Sequence, residues 1–295
     1  MTQLQCWVIE NPEEFRIQLK DLPDALVEEV RRISGDYTIP IASDYTPLGS
    51  GTLARIDEWP GILTARHVIQ PDNHKLRLDQ TGHPEHFLRT ALGPFAHDLS
   101  ITTNALRFVI TPPKTVEYGP DLAFVALPPS PFLDAITARK SFLNLTKNPQ
   151  ERKQLALHDT GFFALCGFPA VKDFAAPPEL GFSIVHGLYG YSMFTGPESY
   201  YGRDGWDYYE MPVSQEAADD FQRTFGGVSG GGVWRVDVVR SPDDQPGKEK
   251  LGSITLAGVA FYQVDDVEKK HFLVRAHGPV SIYERMIDGV RSQLS

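Results

Sequence analysis

The sequence predicts an all-β fold, a sandwich or a barrel, with helices at its ends. From about Tyr37 onward, short β-rich runs alternate with clusters of Gly, Pro, Asn and Asp, the texture of strands joined by turns. The clearest helical periods lie at the N-terminal stretch and over the last residues. The chain has 295 residues, a length that all-β barrels reach as a single unit.

The apolar share, 41%, is enough for a sizeable core, and 22% charged residues argue against global disorder. A formal charge of −10, with no basic run to offset it, excludes nucleic acid as the expected partner, because phosphate binding needs clustered Lys and Arg. No segment approaches the ~20 apolar residues of a membrane helix. The first residues show neither a basic region nor a long apolar one, so a cytoplasmic location is expected. The two cysteines, Cys6 and Cys166, allow at most one disulfide, fewer than small secreted enzymes tend to carry. Both are expected as thiols, with Cys166 buried in the apolar run Phe162–Cys166.

Taken in order, the N-terminal stretch predicts a helix. Asn11-Pro12-Glu13-Glu14 has the chemistry of a helix start, Leu22, Leu26, Val30 and Ile33 recur at helical spacing, and Gly35 is a stop. Strands follow at Gly51–Ile56 and Gly61–Thr64 around a turn at Asp57–Pro60, then at Lys75–Leu78, Arg107–Ile110 and Leu122–Leu127. Pro128-Pro129-Ser130-Pro131 breaks the chain, and a polar, partly helical connector runs to about Asp159. Strands resume at Gly161–Gly167, Phe182–His186, Asp207–Val213, Val233–Val239, Ile254–Gln263 and His271–Val274. Ser281 then caps an amphipathic helix with Ile282, Met286, Val290 and Leu294 on one face.

Three short motifs carry chemistry. An apolar strand runs into a histidine at Leu63-Thr64-Ala65-Arg66-His67. An aspartate stands at the mouth of a nearly all-apolar strand at Pro120-Asp121-Leu122-Ala123. A serine sits in a glycine-rich turn at Gly226-Gly227-Val228-Ser229-Gly230-Gly231-Gly232. A serine hydroxyl is a weak nucleophile until a base takes its proton, and histidine is the base whose pKa lies near neutrality. A shielded carboxylate fixes the imidazole tautomer and stabilises the imidazolium. Glycines around the serine let the backbone turn sharply and leave N–H groups free to bind an oxyanion; those of Gly227 and Ser229 are the candidates.

In this order and these contexts the motifs resemble those of the trypsin/chymotrypsin-like serine peptidases, closest to the bacterial, disulfide-poor members of HtrA type. The family's T-A-x-H, D-[LI]-A and G-x-S-G-G segments correspond to Thr64–His67, Asp121–Ala123 and Gly227–Gly231. The resemblance covers roughly residues 45–275. It implies two antiparallel six-stranded β-barrels with His67, Asp121 and Ser229 as a catalytic triad in the cleft between them. It divides the chain into a helical appendage (1–35), a first barrel (36–128), a connector (129–160), a second barrel (161–278) and a terminal helix (279–295). It implies a cofactor-free endopeptidase that takes a peptide or protein substrate.

In the same family pattern, Phe261, Tyr262 and Gln263 line the primary specificity pocket, and the substrate pairs with that strand edge. The residue six before the nucleophile, Arg223, falls at the pocket floor, where its guanidinium would favour an acidic side chain; a loop of different length would turn it to solvent instead. Val228 stands where many secreted members carry an aspartate that ion-pairs with a newly cleaved N-terminus, a pair valine cannot make. The appendage lies outside the resemblance and is a candidate regulator through which a partner would act.

Other readings were weighed against this one. Asp98 also opens a short apolar run, but the run after Asp121 is longer and shields a carboxylate better. Gly227-x-Ser229-x-Gly231 also fits a nucleophile elbow, which needs a buried strand before it; Ser214–Phe221 is polar. His83 and His86 lack further ligands for a metal, and the glycine loop lacks the lysine of a phosphate-binding loop. A rival of another class is a catalytically silent module that binds a peptide in the same cleft.

Overall fold

The structure, a computed structural model, describes residues 5–8, 15–18, 22–43, 46–70, 87–90, 99–111, 119–156, 161–168, 190–194, 196–213, 227–239, 248–266 and 271–294. The appendage is only partly helical: β1 (Gln5–Val8) pairs antiparallel with β2 (Phe15–Gln18) before α1 (Asp24–Tyr37) begins. The expected helix start at Asn11–Glu14 falls outside the described residues. Pro23, with φ −58°, sets the chain into the helix instead, and Asp24 supplies the acidic first turn. Gly35 lies inside α1, not beyond it. The end is closed by Thr38, whose hydroxyl donates to the Ser34 carbonyl at 2.8 Å.

The first sheet comprises β3 (Thr38–Ser43), β4 (Thr46–Ile56), β5 (Trp59–Thr64), β6 (Phe87–Thr90), β7 (Leu99–Thr102), β8 (Arg107–Ile110) and β9 (Ala123–Ala126). Its order is β7-β6-β3-β4-β5-β9-β8, all antiparallel, with the short β10 (Leu143–Asn144) added parallel to β4. The β4–β5 hairpin turns through Asp57 at φ 51°, the positive φ that a two-residue hairpin loop demands. Helix α2 (Arg66–Ile69) follows β5 within the first sheet, and α3 (Pro131–Thr137) and α4 (Pro149–Ala156) lie between the last strand of the first sheet and the first strand of the second along the chain. Helix α3 starts on Ser130, whose side chain accepts from the Leu133 N–H, with proline at the first helical position.

The second sheet comprises β11 (Phe162–Gly167), β12 (Gly190–Phe194), β13 (Ser199–Arg203), β14 (Trp206–Val213), β15 (Gly232–Val239), β16 (Lys250–Asp266) and β17 (His271–His277), in the antiparallel order β12-β11-β15-β16-β17-β14-β13. Asp204-Gly205, both at positive φ, turns the β13–β14 hairpin. The expected strands at Lys75–Leu78 and Phe182–His186 lie outside the described residues.

The expectation of two closed six-stranded barrels needs correction. Both sheets are antiparallel, but among the described residues no ladder joins β7 to β8 or β12 to β13. The cause is a broken strand in each sheet. β7 and β8 are separated only by residues 103–106, which include a 3₁₀ turn, and β12 and β13 only by residues 195–198, yet the halves stand at opposite edges. Counting each broken strand once, the six strands of both sheets have the same neighbours: first with second, second with third, third with sixth, sixth with fifth, fifth with fourth and fourth with first.

An apolar core fills each sheet, and a third core lies between them. That middle layer joins Leu26 and Val30 of α1, Phe124, Phe162, Trp234 and Leu256 of the strands, and the C-terminal helical segment. This segment passes from a π-type turn, Ser281–Met286, into α5 (Ile287–Leu294). Ser281 is not its cap. Asp207 of β14 accepts from the Val280 N–H at 2.9 Å and from the Ser281 N–H at 2.6 Å, capping the segment from across the chain.

Candidate active site

Strand β5 ends at Thr64, and the chain turns through Ala65 into the single turn of α2, which carries His67. Buried Val68 and Ile69 anchor that turn and leave the His67 side chain 31% exposed. Asp121 enters from the lead into β9. Thr111 secures the main chain there, accepting from the Leu122 N–H through its hydroxyl at 3.1 Å.

The Asp121 carboxylate grips His67 twice. Oδ1 accepts from the His67 backbone N–H at 2.9 Å, and Oδ2 lies 2.6 Å from Nδ1. Burial raises the Asp121 pKa, but the hydrogen bonds and charge of His67 outweigh that and hold the carboxyl below its ordinary value. An ionised Asp121 can only accept, so Nδ1 carries a proton, and in the neutral ring this leaves the lone pair on Nε2. Of the two aspartates weighed for this place, Asp121 holds His67; Asp98 lies outside the described residues.

Ser229 stands in the turn before β15. Gly227 and Gly230 adopt φ 87° and 85°, and a Cβ on Gly230 would lie 2.1 Å from both the Ser50 carbonyl and the Thr64 hydroxyl. Only glycine fits there. The turn is therefore seated on strands β4 and β5 of the first sheet, just before the segment that delivers His67.

Ser50 of β4, fully buried, fastens this seat. Its N–H donates to the Ser229 carbonyl at 2.8 Å, and its hydroxyl donates to the Gly227 carbonyl at 2.6 Å. The same hydroxyl accepts from the Phe168 N–H at 2.8 Å, while the Ser50 carbonyl accepts from the Thr64 hydroxyl at 2.7 Å. Among the described residues, the Ser229 hydroxyl makes no hydrogen bond to His67, and the N–H groups of Gly227 and Ser229 are without acceptors. Val228 points the other way, buried in the core of the second sheet beside Gly167.

Past the turn, Gly230 N–H donates to the Ala260 carbonyl at 2.7 Å and Ala260 N–H to the Gly231 carbonyl at 2.9 Å. The β15 ladder stops at Val259, and beyond it β16 continues in register with β17. Tyr262 and Gln263 are half-buried on this stretch. Phe261, expected at the pocket, is buried instead, with its ring against those of Tyr208 and His277. Arg223 lies outside the described residues. Cys166 is buried on β11, as expected of a core thiol; the Cys6 side chain lies outside what is described. Among the described residues no cluster of His, Cys, Asp or Glu is arranged to hold a metal, and no helix is long and apolar enough to cross a membrane.

Two participants were not foreseen. Ser50 reads in sequence as one residue of a Gly-Ser-Gly run, and the partners of its hydroxyl lie over a hundred positions away. His277 of β17 accepts from the Asp121 N–H at 2.9 Å. The one available signal was the alternation of Arg275 and His277, which puts two polar residues on the same strand face.

No family model matches the sequence, and no curated protein matches it. Solved structures to which the chain is similar include the serine protease domain of the Sesbania mosaic virus polyprotein, at 14% identity over 84% of this chain and 90% of that one, with a TM-score of 0.42. A structure from work on coupled folding and binding of the disordered Sesbania mosaic virus VPg protein matches at 13% identity over 85% and 90%, with a TM-score of 0.43. The HtrA-type protease AlgW with a tripeptide matches at 10% identity over 90% of this chain and 62% of that one, with a TM-score of 0.44.

Proposed function

We propose that this protein is a serine endopeptidase of trypsin-like plan. The observation that carries the reading is the doubly bonded Asp121–His67 pair beside the Ser229 turn, which is seated on the strands that deliver His67. In this reading each sheet is a six-stranded barrel interrupted at one strand, supported by their shared neighbour pattern. The substrate is a peptide that pairs with β16 near Tyr262 and Gln263, past the end of the β15 ladder, as an added strand. The scarcity of cysteine fits work in the cytoplasm.

Ser229 Oγ attacks the scissile carbonyl carbon while its proton passes to His67 Nε2. The C–N bond then breaks, and the amine leaves with that proton, giving an acyl-enzyme. Water, deprotonated by His67, hydrolyses the ester and frees Ser229. Asp121 keeps the imidazole in the required tautomer throughout. The N–H groups of Gly227 and Ser229 receive the negative charge that develops on the carbonyl oxygen. The Ser229–His67 hydrogen bond is expected to form around substrate, since catalytic hydrogen bonds of this kind often tighten only there.

A serine-directed fluorophosphonate tests this directly. The expected result is label on Ser229 by peptide mapping, absent from Ser229→Ala and His67→Ala proteins that remain folded. A folded parent protein that takes no label would leave the silent binding module as the better reading.

A further inference from the structure

His277 is fully buried at the inner end of β17, and its Nε2 accepts from the Asp121 backbone N–H. Its ring is enclosed by aromatics of the second sheet: Phe261 with centroids 4.7 Å apart, Tyr208 at 5.2 Å and Trp206 at 5.9 Å. Tyr208 also packs against the turn before Asp121, since a Cβ on Gly119 would come within 3.2 Å of its hydroxyl. The other ring nitrogen, Nδ1, is buried without a hydrogen-bond partner among the described residues.

These facts constrain the state of the ring. An acceptor at Nε2 has no proton there, so a neutral imidazole carries it on Nδ1. Burial lowers the His277 pKa to about 4, which keeps the ring neutral under ordinary conditions. A neutral histidine with an orphaned N–H is a poor choice for packing alone. Phenylalanine would occupy the same aromatic enclosure without burying an unsatisfied donor. What histidine adds is one acceptor, aimed at the main chain of Asp121.

We infer that His277 is a positioning residue: from the second sheet it fixes the Asp121 main chain, and through it both contacts that Asp121 makes with His67. The Asp121 turn is then held from two sides, by Thr111 of its own sheet and by His277 of the other. The inference rests on the peptidase reading for its catalytic consequence but not for its geometry.

Two substitutions separate acceptor from packing. His277→Phe keeps the aromatic volume and removes the acceptor; His277→Gln places an amide oxygen where Nε2 stood. The first measurement is the far-downfield proton resonance of the short His67 Nδ1–Asp121 hydrogen bond, assigned by its loss in His67→Ala. It is expected to persist in the parent and in His277→Gln, and to shift or broaden in His277→Phe. The second is fluorophosphonate labelling of Ser229 against reagent concentration. In His277→Phe the maximal rate is expected to fall about a hundredfold, the scale of an ångström-sized misplacement, with half-saturation unchanged within about twofold. In His277→Gln most of the rate should return.

A resonance and a labelling rate that survive intact in folded His277→Phe overturn the proposal. So does a His277→Gln protein that loses both as His277→Phe does, since packing would then be the whole role. A parent that shows the resonance but never labels would sink the peptidase reading and leave the positioning role to be decided by the resonance.

Discussion

The two sheets share one pattern of strand neighbours and differ in what they bury. The first is packed with aliphatic side chains: Ile39, Ile41, Leu53, Ile62 and Val125 are all essentially inaccessible. The second buries charge and polarity. Arg235, 1% exposed, pairs with Asp237 at 2.6 Å; Arg275 pairs with Glu210 at 2.6 Å and lies over the Tyr262 ring; Asp207 caps the C-terminal helical segment; His277 meets Asp121. Strand order, then, does not prescribe a core. The first sheet gains stability mainly from area removed from water, the second partly from buried polar groups held in pairs. The candidate site uses both, in exchange: Ser50 of the first sheet holds the Ser229 turn, and His277 of the second holds Asp121.

The largest effect should come from the one carboxylate of the first sheet that is placed for chemistry. Asp121→Asn is expected to leave the fold intact and lower fluorophosphonate labelling of Ser229 by about ten-thousandfold, through the wrong imidazole tautomer. A loss of only a few-fold would mean that Asp121 is structural, like the charges of the second sheet.

Core substitutions sharpen the contrast next. Leu53→Ala should cost about 2–5 kcal/mol in urea unfolding, the range for buried leucines. Glu210→Ala, which removes a carboxylate partner of the Arg275 guanidinium, should cost about 2–3 kcal/mol, below the fully buried case because Glu210 keeps some solvent contact. Replacing both partners by Leu and Met should bring stability back to within about 1 kcal/mol of the parent. If the double replacement is as damaging as the single one, the pair does more than satisfy itself.

The sheets should also part company in acid. The folded-state pKa of His277, about 4, lies below its ordinary value of 6.5, so the unfolded chain binds the proton first. Stability from this group is complete above pH 6.5 and is lost as pH falls toward 4, by roughly 3 kcal/mol. His277→Phe should flatten that part of the stability–pH curve. Asp121, whose pKa is lowered, adds a further loss only as pH drops below 3.8 toward its folded-state value. An unchanged curve in His277→Phe would mean that burial does not lower the ring's pKa in the folded protein.

The smallest effect belongs to the surface. Arg291 of α5 makes a two-pronged pair with Asp57 of the first sheet at 2.8 and 3.1 Å, with about half of the arginine side chain exposed. Arg291→Ala should shift the unfolding free energy by less than about 1 kcal/mol, and less again in high salt.

The contrast also explains what could be read in advance. The His67–Asp121 contact and the glycine turn of Ser229 could be anticipated because each residue combines a chemical type with a local context, an apolar strand or a glycine run. Strand β8 was placed at Arg107–Ile110 because its boundaries depend on its own residues. Readings failed where a distant partner decides. Ser281 has a capping side chain, yet the cap is Asp207, which lies 74 residues away. Gly35 has the composition of a helix stop, yet Ser34 and Thr38 carry the helix past it. Strand β16 runs well beyond Ile254–Gln263 because both neighbours extend it. The buried polar network of the second sheet was invisible for the same reason: a lone charge in a strand looks like a solvated one until its partner is known.

The seat of the Ser229 turn has a consequence for how the protein is made. The glycines give that turn no shape of its own; Ser50 and Thr64 act as its mould. Synthesis runs from the N-terminus, so the mould leaves the ribosome before the piece to be cast in it, and the turn takes its shape as the second sheet docks on a first that is already made.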